Sequence, residues 1–232
     1  MLDLNNITLV TIDGKGDNLM ALKALKYSTS NIKFGAVKYI SPCNIGDDSF
    51  YEYVKIDLLS YDDYNNFCIN KLNDYIITEY VLIVQDDGFV INSQLWSNDF
   101  LNYDYIGAPW DNGHLYFNSQ RWSKIHEKFK ESGLQYTVGN GGFSLRSKKL
   151  LNSIKTVVKD YNNEPEDVFI SIFLRKELET NGCIFAPFDV AKSFSCESQN
   201  VNGYHLTPAE SFGFHGRDTH RKYVDQLNTV SL

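Results

Sequence analysis

Val81-Leu82-Ile83-Val84-Gln85-Asp86-Asp87-Gly88 is the stretch on which the fold turns. Four apolar residues in a row describe a strand buried on both faces, as strands are when helices cover a parallel sheet. Two adjacent carboxylates and a glycine follow. In an open α/β sheet, ligands bind just past the carboxyl ends of the strands. Carboxylate oxygens suit hard divalent cations such as Mg²⁺ or Mn²⁺. Asp86-Asp87-Gly88 is therefore either a metal-and-phosphate corner or a plain polar turn, since Asp and Gly are ordinary turn residues.

Working outward, Ile7–Ile12 (ITLVTI) reads as the first strand, and a helix is expected from Asn18 to about Tyr27. Lys33–Ile40 (KFGAVKYI) reads as a second strand, stopped by Ser41-Pro42. Tyr53–Ile56 is a short strand candidate, and Ser60-Tyr61-Asp62-Asp63 is a capping box opening a helix to about Tyr75. This strand–helix–strand–helix–strand order, leading into Val81, predicts a mainly parallel sheet with helices on its faces.

Beyond Asp87 the pattern loosens. Phe89–Asn98 holds a short helix, and Tyr103–Trp110 (YDYIGAPW) is irregular. Asp111 to Gln120 is polar and glycine-containing, a candidate mobile loop. Trp122–Glu131 is weakly helical. In Lys148–Tyr161, Leu150, Leu151, Ile154, Val157, Val158 and Tyr161 share one helical face. Pro165 opens a further helix to about Thr180, ended by Asn181-Gly182, and Ile184–Phe188 is a strand candidate. A basic, polar tail follows Gly216.

Composition narrows the class. At 232 residues, 43% hydrophobic and 22% charged, the chain suits one globular domain. Its 15 Phe, 15 Tyr and 3 Trp fill a core or form platforms for sugars or bases. A net charge of −7 argues against broad nucleic-acid binding. A bound metal could still reverse the local field for an anionic substrate. Cys43, Cys68, Cys183 and Cys196 form no C-x-x-C pair, so they read as small buried apolar residues rather than a zinc site or a disulfide framework. No basic leader and no run of about 20 apolar residues is present, so a soluble, cytoplasmic protein without signal peptide or transmembrane segment is expected.

Four places offer chemistry: Gln85-Asp86-Asp87, Gly139-Asn140-Gly141-Gly142, Glu164-Pro165-Glu166-Asp167-Val168 and His215. Each has an ordinary reading too. The glycines allow either close approach to a ligand or a tight turn. Acids at a helix start compensate the macrodipole. A lone histidine is more often structural than functional. No G-x-G-x-x-G, P-loop, G-x-S-x-G or Cys/His signature occurs, so dinucleotide, Walker-type and serine or cysteine hydrolase chemistry lack support.

Taken in order, QDDG at 85–88, YDYIGAPW at 103–110, VGNGGFSLRS at 138–147, EDVF at 166–169 and FGFHG at 212–216 resemble a GT-A glycosyltransferase. The resemblance is nearer still to a family of short GT-A-like proteins known as a domain of unknown function. It implies a Rossmann-like α/β single domain over 1–232: a nucleotide-binding half to about 90, an acceptor half over 91–216, and a tail from 217 to 232.

The implied activity is metal-dependent transfer of a sugar from a nucleotide-diphosphate sugar, a UDP-sugar foremost, to a glycan or other hydroxyl acceptor. Asp87 and His215 inherit the ligation of Mn²⁺ or Mg²⁺. The family's D-x-D begins here with Gln85, one anion fewer, and that leaves the metal requirement open. Asp167 inherits the general base of an inverting displacement. Thr11, Asp13, Lys38, Gln85 and Asp86 are implied on the donor side. Trp110, Asn140, Gly141, Gly142 and Glu166 are implied on the sugar and acceptor side. The loop from Asp111 to Gln120 is expected to close over the donor. Two alternatives stand beside this: a catalytically silent nucleotide-sugar-binding module, and a nucleotidyltransferase.

Overall fold

The computed structural model describes residues 1–47, 49–111, 120–159, 161 and 164–232. The expected loop closure falls largely on 112–119, outside the described residues. Strands β1 (Leu2–Ile12), β2 (Ile32–Ser41), β3 (Glu52–Lys55) and β4 (Tyr80–Ile83) alternate with helices α1 (Leu19–Ser28), α2 (Tyr61–Asn70) and α3 (Leu72–Tyr75). The chain continues through β5 (Tyr105–Ile106), β6 (Pro109–Asp111), α4 (Gln120–Glu131), β7 (Tyr136–Val138), β8 (Ser144–Ser147) and α5 (Lys148–Val157).

The main sheet has the order β3-β2-β1-β4-β8-β5. β3, β2, β1 and β4 run parallel, and β8 enters antiparallel to β4. β5 closes the edge against β8. This is the mainly parallel α/β sheet expected, in a single domain. Alternation along the strands sorts their side chains to the two faces. Leu9 and Leu82 join the larger core with Leu22, Leu25 and Phe34 from α1 and β2. Val10, Val81 and Ile83 join a second core with Phe67, Leu72 and Leu151 from α2, α3 and α5. Val81, Leu82, Ile83 and Val84 are all fully buried, as a strand covered on both faces requires.

The first half follows the sequence reading closely. Asn18 caps α1 by accepting from Ala21 N, and Ser60 with Asp63 forms the capping box of α2. Differences gather in the second half. The helix expected from Pro165 to Thr180 is three pieces: α6 (Glu166–Val168), a π-turn over Phe169–Phe173, and α7 (Arg175–Thr180). Leu174 N donates to Phe169 O, five residues back, which widens the turn. Ile184–Phe188 is no strand; Phe185 makes one bridge to Tyr105, and Pro187 caps helix α8 (Phe188–Phe194). The tail beyond 217 belongs to the domain. Val224 and Leu227, three apart, are buried in the larger core, and Tyr27 Oη donates to Gln226 Oε1 at 2.7 Å. Cys68, Cys183 and Cys196 are buried as expected, whereas Cys43 is exposed. Among the described residues, no helix is long and apolar enough to cross a membrane.

Candidate active site

The site grows from the end of β4. Val84 N donates to Val10 O at 2.9 Å, and the chain then reverses. Gln85 N donates to Gly88 O at 2.8 Å, and Gly88 N donates to Gln85 O at 3.1 Å. A tight turn thus holds Asp86 and Asp87 at its tip. Turn and carboxylate corner are one object. The two acids part ways there: Asp86 Oδ2 pairs with Arg217 Nη2, and Asp87 Oδ1 faces His215 Nε2 at 3.4 Å. Gln85 turns toward α2, its Nε2 donating to Tyr64 Oη at 2.8 Å.

Two further segments close on this turn. His215 follows a short strand, Gly213–Phe214, that pairs in parallel with Ser195–Cys196. Gly139–Gly142 leads into β8. The glycines there serve contact within the protein. A Cβ on Gly142 would lie 2.4 Å from His215 Nε2 and 2.5 Å from Gln85 Oε1, and one on Gly139 would lie 2.0 Å from the Trp110 ring. The left-handed residue in the run is Asn140, at φ 64°, rather than a glycine. Its Oδ1 accepts from Phe143 N at 3.0 Å, and its Nδ2 donates to Glu197 Oε1 at 2.6 Å.

Glu197 joins the site without having been singled out in the sequence. Its Oε1 lies 3.2 Å from His215 Nδ1, so the imidazole stands between two carboxylates. Burial disfavours the imidazolium, but Asp87 and Glu197 outweigh it and raise the His215 pKa to about 10. Burial likewise pushes the Asp87 carboxyl up, yet the hydrogen bond and charge of His215, with Arg217, bring it below its ordinary value.

Asp167 stands at the start of α6, half-buried. Its Oδ2 accepts from Gly141 N and its Oδ1 from Val168 N, both at 2.8 Å. Burial raises its pKa; the two N–H bonds oppose this and Glu197 adds to it. Burial therefore prevails over the helix N-terminus, and the carboxylate is a stronger base than an exposed aspartate. Glu166 lies against Gly141 and pairs with Arg146. It is 4% exposed, and its oxygens meet Arg146 Nη1 at 2.8 Å and Nη2 at 3.0 Å.

Beside the turn opens a cleft of about 750 Å³, lined by Thr11, Asp13, Asn18, Tyr64, Gln85 and Asp86 among others. Thr11 and Asp13 form its wall, but their polar atoms hold the fold. Thr11 Oγ1 donates to Val84 O, and the Asp13 carboxylate accepts from Lys15 N, Gly16 N, Asn18 N and Tyr39 Oη. Three expected contacts lie elsewhere. Lys38 is buried and paired with Glu52 at 3.0 Å, opposite it in the β2–β3 register, and does not line the cleft. Trp110 is buried with Ile125, Phe129, Val168 and Ile172, supports Gly139, and donates from Nε1 to Glu197 Oε2, so its ring offers no open face to a sugar. Glu166 is sequestered by Arg146.

The donor set can be tested against a divalent cation. Among the described residues, no three His, Cys, Asp or Glu side chains form a metal centre. Mg²⁺ sites, however, often use one or two protein ligands plus substrate phosphates. Two ligands each about 2.1 Å from an ion, at right angles, stand roughly 3 Å apart. The 3.4 Å between Asp87 Oδ1 and His215 Nε2 fits that spacing, and both atoms are suitable donors.

Comparison with solved structures places the fold. A galactosyltransferase LgtC in complex with donor and acceptor sugar analogues is 12% identical, with a TM-score of 0.51, covering 100% of this chain and 97% of that one. An active-site mutant of LgtC is 13% identical, with a TM-score of 0.51, covering 98% and 94%. A glycosyltransferase involved in glycosylation of the major capsid of PBCV-1 is 13% identical, with a TM-score of 0.49, covering 97% and 99%. The two LgtC structures define the class: the fold is that of GT-A glycosyltransferases. Residues 51–215 match the family model described as "Protein of unknown function (DUF5672)", and the chain belongs to that family. No curated protein matches it in sequence.

Proposed function

We propose that this protein transfers a sugar from a nucleotide-diphosphate sugar, a UDP-sugar foremost, to an acceptor hydroxyl. One observation carries the reading. Asp87, next to the cleft-lining Asp86, meets His215 past the carboxyl end of β4, and Asp167 holds Gly141, neighbour of the Gly142 that packs on His215; the cleft of about 750 Å³ opens beside them. This is the end of a parallel sheet at which ligands bind.

In this reading the nucleotide lies in the cleft between the β1 end and the start of α2. Its diphosphate points toward Asp87 and His215, which would hold Mn²⁺ or Mg²⁺. When bound, such a cation offsets the charge that develops on the leaving diphosphate. Asp167 takes the proton of the acceptor hydroxyl as that oxygen bonds to the anomeric carbon and the bond to the diphosphate breaks. A single displacement of this kind inverts the anomeric centre. The raised pKa of Asp167 suits a base, and its two N–H contacts hold it in place.

A screen of nucleotide-sugars with Mn²⁺, read by nucleoside-diphosphate release, tests the proposal. Turnover that needs both Asp87 and Asp167 supports it. No turnover and no thermal shift with any nucleotide, with or without Mn²⁺, defeats it. Pyrophosphate release from a nucleoside triphosphate points to a nucleotidyltransferase instead. A second reading, a binding module without turnover, draws on Gln85: it brings no charge where the family motif has an acid, and its amide is engaged by Tyr64. Transfer that disappears in Asp87→Ala and Asp167→Ala rules that reading out.

A further inference from the structure

Glu197 enters the reaction described above only as a charge that raises the Asp167 pKa, yet its side chain is held from several sides. Its Oε1 receives Asn140 Nδ2 at 2.6 Å and faces His215 Nδ1 at 3.2 Å; its Oε2 receives Trp110 Nε1. Its backbone carbonyl accepts from His220 Nε2 at 2.8 Å. The topology makes the meeting with His215 unavoidable. Ser195 pairs with Gly213 and Cys196 with Phe214, so Glu197 and His215 are the next residues on two parallel strands. His215 N donates to Cys196 O at 3.0 Å, which keeps the two strands together up to that point.

The ring of His215 is therefore gripped on one edge and presented on the other. Nδ1 meets both Glu197 Oε1 at 3.2 Å and Asn140 Nδ2 at 2.5 Å, whereas Nε2 faces Asp87. A carboxylate on the far nitrogen of a ligating histidine fixes the tautomer, fixes the ring plane and raises ligand basicity. Glu197 sits on the edge away from Asp87, so its effect on that pair runs through His215.

We propose that Glu197 is a positioning residue that orients His215 and thereby sets the affinity of the Asp87–His215 pair for a hard divalent cation. The inference rests on the reading of that pair as a cation site. It makes Asn140 and Trp110 parts of the same support, since both donate to the Glu197 carboxylate.

Mn²⁺ titrated into the full chain, alone and with UDP, tests this by the loss of the free-ion paramagnetic resonance signal. Wild type is expected to bind saturably and Asp87→Ala not to bind. Glu197→Ala is expected to weaken binding by about 10- to 100-fold. Glu197→Gln keeps the shape and an acceptor oxygen but not the charge, and should fall between. It also carries the test if the alanine variant does not fold. Unchanged Mn²⁺ affinity in the folded Glu197 variants, with wild type binding and Asp87→Ala not, overturns the inference and leaves the cation reading intact. Absence of saturable Mn²⁺ binding by wild type in both arms overturns the cation reading, and this inference with it.

Discussion

Replacing Glu166 with glutamine leaves the Arg146 guanidinium buried without its counter-charge. The side chains are 0% and 5% exposed; Nη2 donates to Oε1 at 3.0 Å, and Nη1 lies 2.8 Å from Oε2 as an ion-pair contact. Arg146 keeps Ser144 Oγ at 3.1 Å and the face of Tyr105, neither of which carries a formal charge to answer it. Breaking one side of such a pair costs about 3–5 kcal/mol. With unfolding entropies near 2.1 cal/mol/K per residue, a chain of 232 residues loses about 0.5 kcal/mol per degree. The expected fall in Tm is then about 6–10 °C.

Asp167→Asn should behave oppositely. It removes a carboxylate whose ionised form burial already disfavours, and its amide can still accept one of the two backbone N–H bonds. Its Tm should stay level or rise slightly, while transfer falls by at least about 10²-fold. Glu166→Gln, assayed well below its own Tm, should keep its acceptor KM. Differential scanning calorimetry and a coupled UDP-release assay on both variants decide the matter. A third variant checks the cause: Arg146→Met with Glu166→Leu removes both charges and should recover most of the lost stability. If Glu166→Gln melts within about 2 °C of wild type, or the double variant is no better than the single, the desolvation reasoning is wrong. If Glu166→Gln raises the acceptor KM while Asp167→Asn does nothing, the two roles have been exchanged.

Gly142→Ala drives a methyl between His215 and Gln85, with contacts of 2.4 and 2.5 Å that must open by about 1 Å. Activity should fall by about 10²-fold, at a stability cost of about 1–3 kcal/mol; an active variant would show that the ring position does not matter. Asp87→Ala should abolish transfer and Asp86→Ala only weaken it, since Asp86 is engaged with Arg217 rather than His215; equal loss in both means the register of the motif is misread. The pH profile of kcat/KM should show an acid limb above the ordinary carboxylate range near 4. As the proposed base, Asp167 must lose its proton to act, and burial foremost raises the pKa at which it does so. Activity therefore appears as pH rises through that raised value, and a limb at the ordinary value refutes the assignment.

The parallel half of the sheet was legible because its signals are local. Val81–Val84 is a four-residue apolar run, Ser60 and Asp63 stand at capping-box spacing, and strand and helix periods alternate without interruption up to β4. Asp87, His215 and Asp167 were singled out through motif order, and the structure brings their segments to one end of one strand. What misled were residues whose chemistry depends on what lies across from them. Lys38 reads as a cation near a nucleotide until β3 supplies Glu52 opposite it. Glu166 and Asp167 are indistinguishable by type, and only Arg146 on β8 decides which is buried as an ion pair. Trp110 resembles a sugar platform until Gly139 is laid against its ring.

Glu197 shows the limit most sharply. Nothing in Cys196-Glu197-Ser198 marks it, because its meaning comes from a two-residue parallel pairing with Gly213-Phe214, and such short pairings have no periodicity to detect. The motif that was visible, His215, and the residue beside it, Glu197, are 18 positions apart, and that pairing brings them into contact. The left-handed backbone at Asn140 completes the connection: it turns the side-chain amide toward Glu197 while the neighbouring glycines let Gln85 and His215 close in. The segment 139–142 thus works as a spacer that lets three elements meet, and its glycines are required by the protein's own packing before any ligand is considered. A substitution at Gly142 should therefore act first through His215 and only secondarily through a bound sugar. This is why Gly142→Ala is expected to disturb the Asp87–His215 pair even in the absence of donor.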